Sequence, residues 1–242
     1  MHDMKQAAER FTGEMRSALG DRLRSVVLHG SVARGEAVPG VSDVNLLVLV
    51  DAVDAALLRR LAPLARRWLK KEHALPLVLT WDEWAAASDA FAIETADMLD
   101  AREVLSGEDP LIGVTVRDRD LRLQAERELR GKLIHLREGT LASADKPEDL
   151  GRLVLTALPS VATYLRAALR LAGRPVPDTT AATLSAGAEL VDADADRLGE
   201  LWRLRERRKP PKLAVDDPRA TAVHDVLART ADHVDTLAGD EA

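Results

Sequence analysis

Gly30 and Ser31 end an apolar run, Val26-Val27-Leu28, and Asp43 and Asn45 open a second one, Leu46 to Val50. A strand that stops at Gly-Ser and enters a helix start presents backbone N–H groups, which bind phosphate oxygens well. In a strand entered at Asp43, positions 43 and 45 point to one face. Two oxygen ligands there would hold a divalent cation over a bound phosphate. Asn45 departs from the ideal pair: its amide oxygen can coordinate Mg²⁺ but carries no formal charge. Simpler readings stand beside each residue. Gly30-Ser31 alone is also a plain strand-to-helix turn, Asp43 can merely turn the chain, and Arg34 can be a solvated loop charge.

The elements around this stretch follow from the spacing of apolar residues. Ala7, Ala8, Phe11, Met15 and Leu19 predict a helix over 3–19, closed at Gly20, and 23–28 reads as the first strand. Asp51 and Asp54 open a long helix through Leu57, Leu61, Leu64, Trp68 and Leu69, which Pro63 should bend or divide. Residues 76–80 read as a third strand. Thr80 to Glu83 has the spacing of a capping box before a short helix from Trp84 to Ser88. Phe91 to Ala96 is expected as a fourth strand with Glu94 its one charge, and Arg102 to Gly107 as a last short strand or turn. Residues 1–110 thus read as an α/β domain.

Residues 111–242 change character. Leu121, Ala125, Leu129, Leu133 and Leu136 predict one amphipathic helix; Leu150 to Ala168 predict a second, kinked at Pro159. Asp178 is the expected cap of a third, Thr180 to Val191. A fourth runs through Leu198, Leu201, Trp202 and Leu204, and a fifth from Ala220 to Leu237 after the basic turn at 208–212. The expected architecture is therefore α+β or α/β, a mixed sheet with flanking helices, followed by an all-α bundle. Lys132, His135 and Arg137 read as a solvated helix face.

Composition narrows the function classes. The 242 residues carry a net charge of −6, with 46% hydrophobic, 31% charged and only 3% aromatic residues. The acidic balance argues against a broad nucleic-acid footprint. No cysteine is present, which removes disulfides and thiolate zinc sites and fits a cytoplasmic location. The first residues carry no apolar signal region, and no run approaches the ~18 apolar residues of a membrane span. An Ala- and Leu-rich bundle is compatible with a homodimer.

Taken together, Gly30-Ser31, Ala33-Arg34-Gly35-Glu36, Pro39, Ser42-Asp43, Asn45 and Leu46-Leu47-Val48 resemble the nucleotidyltransferase superfamily of the DNA polymerase β type. The minimal and aminoglycoside nucleotidyltransferases are the most similar, the latter sharing the layout of an α/β domain followed by a helical bundle. The resemblance covers roughly 22–107. It implies Mg²⁺-dependent transfer of a nucleoside monophosphate from a nucleoside triphosphate to a hydroxyl acceptor, with Gly30, Ser31 and Arg34 at the triphosphate. The family holds metal with three carboxylates. Asp43 matches the first, Asn45 stands where the second Asp would be, and Glu94, on the strand after the short helix, is the expected third. Asp97, Asp82 and Glu83 are rivals for that third place, and His29 reads as a satisfied strand-end histidine. Asn45 opens an alternative function, a degenerate relative that binds a nucleotide or a protein partner without turnover.

Overall fold

Val26, Val27 and Leu28 are all fully buried, as they must be in a strand covered on both faces. In the computed structural model, which describes residues 2–71, 73–87 and 89–237, they lie in β1 (Leu23–His29), a central strand. The sheet order is β3 (Leu77–Thr80), β2 (Asn45–Val50), β1, β4 (Arg102–Gly107). β1 runs antiparallel to both neighbours and β2 parallel to β3, so the sheet is mixed. The helices of this unit are α1 (His2–Leu19), α2 (Gly30–Ala33), α3 (Ala55–Leu69), α4 (Trp81–Ala86) and α5 (Ala92–Asp100).

Strand alternation sorts the core into two layers. Val26, Leu28, Leu46, Val48 and Val50 pack with Phe11 and Met15 of α1 and Leu57, Leu61 and Trp68 of α3. Val27, Leu47 and Leu49 face the other way, onto Trp84, Met98 and Leu111. Asp54 caps α3 by accepting from the Leu57 N–H at 2.7 Å, and the helix runs on through Pro63. Thr80 and Glu83 form the expected capping box, but α4 starts at Trp81, immediately after the cap. Ser88, the expected end of that helix, lies outside the described residues.

The expected fourth strand at 91–96 is a helix. Ala92, Ile93, Thr95, Ala96 and Met98 are buried along α5 at helical spacing. Over the six residues 91–96, alternate small and apolar side chains had satisfied a period of two equally well.

Residues 1–116 form one compact unit and 117–242 a second. The second unit is all helical among its described residues: α6 (Asp118–Ala142), α7 (Pro147–Leu171), α8 (Thr180–Leu190), α9 (Ala195–Glu206) and α10 (Pro218–Thr236). α6 packs on α7 and α10, and α8 on α7 and α9. Leu121, Ala125, Leu129, Leu133 and Leu136 form the buried stripe of α6. α8 is capped by Thr179, which accepts from the Ala182 N–H, one residue past the expected Asp178. Among the described residues no helix is long and apolar enough to cross a membrane.

Candidate functional site

The turn after β1 is built around Gly30. Its φ is +72°, a left-handed conformation that side chains other than glycine's rarely tolerate. A Cβ placed there would also come within 2.7 Å of the Asn45 side-chain amide. Asn45 is the first residue of β2 and pairs with His29, the last of β1, so strand register sets its side chain against the turn. The sequence-paired features Gly-Ser and Asp-x-Asn are thus one local structure at Gly30 and Asn45.

The loop from α2 to β2 is closed by its own hydrogen bonds. The Arg34 N–H donates to the Gly30 carbonyl at 3.0 Å and the Glu36 N–H to the Ser31 carbonyl at 2.9 Å. Ser42 Oγ accepts from the Val38 N–H at 3.0 Å, and the Ser42 N–H returns to the Val38 carbonyl at 2.9 Å. That turn delivers Asp43 to the entrance of β2, exposed, with Val44 buried beside it. The first N–H groups of α2, including those at Ser31 and Val32, have no partner inside the helix.

Arg34 is turned inward. Its guanidinium pairs with the Asp97 carboxylate at 3.2 Å, the two side chains being only 7% and 14% exposed. It also donates to the Asp97 carbonyl at 3.3 Å, tying the end of α2 to α5. Burial, aided by the Arg34 charge and opposed by Asp97, pushes the pKa of His29 down to about 4. The imidazole beside the turn is therefore neutral near pH 7.

Glu94 sits in the first turn of α5, partly buried, and not on the sheet. The strand that was to set it beside Asp43 and Asn45 is absent from positions 91–96. Asp97, a rival, is engaged by Arg34, and Glu83 by the Thr80 N–H at 2.7 Å; Asp82 is exposed in the first turn of α4. The register shows what occupies the row instead. Asn45 on β2 pairs with His29 on β1, which pairs with Arg102 on β4. The row spans about 10 Å, two strand spacings, and contains no carboxylate. Arg102 is itself bound to Asp109 at 3.0 and 2.8 Å. Among the described residues no group of three or more His, Asp or Glu side chains is placed to hold a metal ion.

His73 is a neighbour of Asp43 that sequence reasoning missed. Its ring lies over Trp68, centroids 4.3 Å apart, and Trp68 in turn stacks on Phe11. Burial lowers its pKa while the Asp43 charge works against that shift. No local signal marks His73 as a neighbour of Asp43, because the two are brought together from separated parts of the chain.

Residues 9–83 match the family model described as a nucleotidyltransferase domain, which agrees with the resemblance carried by the Gly30-Ser31 and Asp43-x-Asn45 segments. The match ends within α4, before Glu94, Asp97 and Arg102. Among solved structures, the chain is similar to a spectinomycin adenyltransferase, AAD(9), from Enterococcus faecialis, whose crystal structure contains ATP and spectinomycin. The two are 12% identical, the superposition covers 96% of this chain and 99% of that one, and the TM-score is 0.58, a likeness of fold. No curated protein sequence matches the chain.

Proposed function

We propose that the first unit binds a nucleoside triphosphate at the Gly30-Ser31 turn and transfers its nucleoside monophosphate to a hydroxyl of a small acceptor, the acceptor oxygen losing its proton and bonding to the α-phosphorus as the bond to the β-phosphate breaks and pyrophosphate leaves. One observation carries this reading: the Asn45 amide lies against Gly30, so the Asp43-x-Asn45 segment and the Gly-Ser turn form one site. Phosphate oxygens would lie on the turn's N–H groups. Asp43 would be the charged oxygen ligand of a divalent ion and Asn45 a neutral one. That donor set fits a single Mg²⁺ shared with the triphosphate, since Mg²⁺ is commonly held by one or two carboxylates plus substrate phosphates. It offers less to a pair of ions clamped by three carboxylates, since among the described residues no three His, Asp or Glu side chains are grouped to hold a metal ion. When bound, the ion would offset triphosphate charge. The chain's own residues would orient the phosphates, and neutral His29 would keep a positive charge away from the Asp43 ligand.

A second reading, nucleotide binding without turnover, is favoured by the same Asn45–His29–Arg102 row. The two readings separate in one assay. Full-length protein is incubated with α-labelled nucleoside triphosphates, Mg²⁺ and a panel of hydroxyl acceptors that includes spectinomycin. Transfer by wild type that disappears in Asp43→Ala supports the enzyme. An inert wild type that gains transfer on Asn45→Asp supports the second reading. Loss of both, with no nucleotide bound, refutes the pair.

A further inference from the structure

Helix α3 and its C-cap carry charge of one sign. Residues 55–71 hold six of the thirteen Lys and Arg of residues 1–116 and none of the eighteen Asp and Glu. At about 100° per residue, Arg59, Arg66 and the C-cap Lys70 fall within about 40° of one another, along a line about 16 Å long. All three are exposed, as are Arg60 and Lys71. Of the six, only Arg67 forms an ion pair among the described residues, with Glu14 at 2.7 Å. α6 shows the ordinary arrangement: Glu126 stands between Arg122 and Arg130 and pairs with both, at 3.6 and 3.0 Å. Arg66 and Lys70, four positions apart, repel instead. The helix dipole favours cations in the last turn, but it does not reach Arg59 and Arg60 in the second. The row is thus no device for holding α3 together, and what it can attract lies outside the fold.

Apolar side chains accompany the cations. Leu58 and Leu69, eleven positions apart, fall within about 20° of each other, on a line beside the basic one. They are 51% and 49% exposed, and Val53 and Leu75, before and after the helix in the chain, are exposed as well. The buried side of α3 is a different one, formed by Leu57, Leu61, Leu64 and Trp68. A sugar-phosphate backbone would answer the cations but not the leucines. No Phe, Tyr or Trp is exposed between positions 53 and 75 to stack on a base, Trp68 being buried. A membrane surface with anionic headgroups answers both features. Headgroup charge attracts the basic line, and the boundary with the acyl chains receives the aliphatic tips.

We propose that the outer face of α3 docks on an anionic phospholipid surface, held by Arg59, Arg66 and Lys70 with Leu58 and Leu69 at the edge of the contact. The contact is peripheral: among the described residues no helix is long and apolar enough to cross a membrane. It does not rest on nucleotide chemistry at the Gly30–Asn45 site. The test is sedimentation of the full-length protein with vesicles of phosphatidylcholine, alone or with about one-third phosphatidylserine, at about 0.1 M and 0.5 M salt. Polyuridylate and polyglutamate serve as polyanions that offer no apolar phase.

Wild type binds the anionic vesicles and not the neutral ones, and binding falls as salt rises. Arg59→Gln, Arg66→Gln and Lys70→Gln each weaken it about five-fold, and the triple variant about 100-fold. Leu58→Ser combined with Leu69→Ser weakens it about ten-fold and leaves the salt dependence in place. The triple variant melts no lower than wild type, since it loses no ion pair. The proposal is overturned if wild type ignores anionic vesicles or binds neutral ones equally, or if the triple variant or the leucine double variant binds like wild type. A lower melting temperature of the triple variant also overturns it, since the cations would then have partners within the fold. Binding to polyuridylate or polyglutamate without binding to vesicles overturns it too, and assigns the face to a nucleic acid or an acidic protein.

Discussion

Replacing Gly30 by Ala probes the junction on which the site depends. At φ +72° an alanine backbone costs about 1–2 kcal/mol. The new Cβ would sit 2.7 Å from the Asn45 amide, forcing that side chain from its rotamer at about 1 kcal/mol. The sum, about 2–3 kcal/mol, corresponds to a melting temperature lower by roughly 5–10 °C in a chain of this size. The assay is thermal unfolding of wild type, Gly30→Ala, Asn45→Ala and the double variant. Removing the amide relieves the steric part only, so the double variant should recover about 1 kcal/mol, which appears as a coupling energy of that size. Strict additivity would refute the Gly30–Asn45 contact. A Gly30→Ala variant as stable as wild type would refute the left-handed turn.

Three further outcomes follow from the same unit. His29, with its pKa lowered to about 4, binds its proton more readily unfolded. Its contribution is therefore complete above pH 6.5 and is lost as the pH falls through 4, up to about 3 kcal/mol; thermal scans of wild type against His29→Gln should diverge in that window. Asp97→Ala leaves the buried Arg34 guanidinium without its carboxylate and should cost about 3 kcal/mol by denaturant unfolding, with Asp97→Asn milder. Thr80→Ala removes the cap of α4 and should cost about 1 kcal/mol in the same measurement.

The sequence made the Gly-Ser turn and the Asp43-x-Asn45 step legible because each is written in adjacent residues, and the flanking apolar runs fixed β1 and β2. The third carboxylate was not legible. Residues 91–96 alternate well enough for a strand, and only the continuation to Met98, buried on the same side of α5, marks the helix. Arg34 was equally opaque: its partner Asp97 lies 63 positions away, on that misassigned element. His73 beside Asp43 depends on a stack with Trp68 that no local pattern announces. Long-range pairing decided Arg34, whereas the third carboxylate turned on a helix whose short apolar run also fits a strand.

The central claim is tested most directly by calorimetric titration of the full-length protein with ATP, GTP, CTP and UTP, each with and without Mg²⁺, in wild type and Asp43→Ala. The account predicts that at least one triphosphate binds, more tightly with Mg²⁺, and that Asp43→Ala abolishes the Mg²⁺ dependence while leaving the fold intact. Absence of binding by all four triphosphates, or binding that is indifferent to both Mg²⁺ and Asp43, would contradict it.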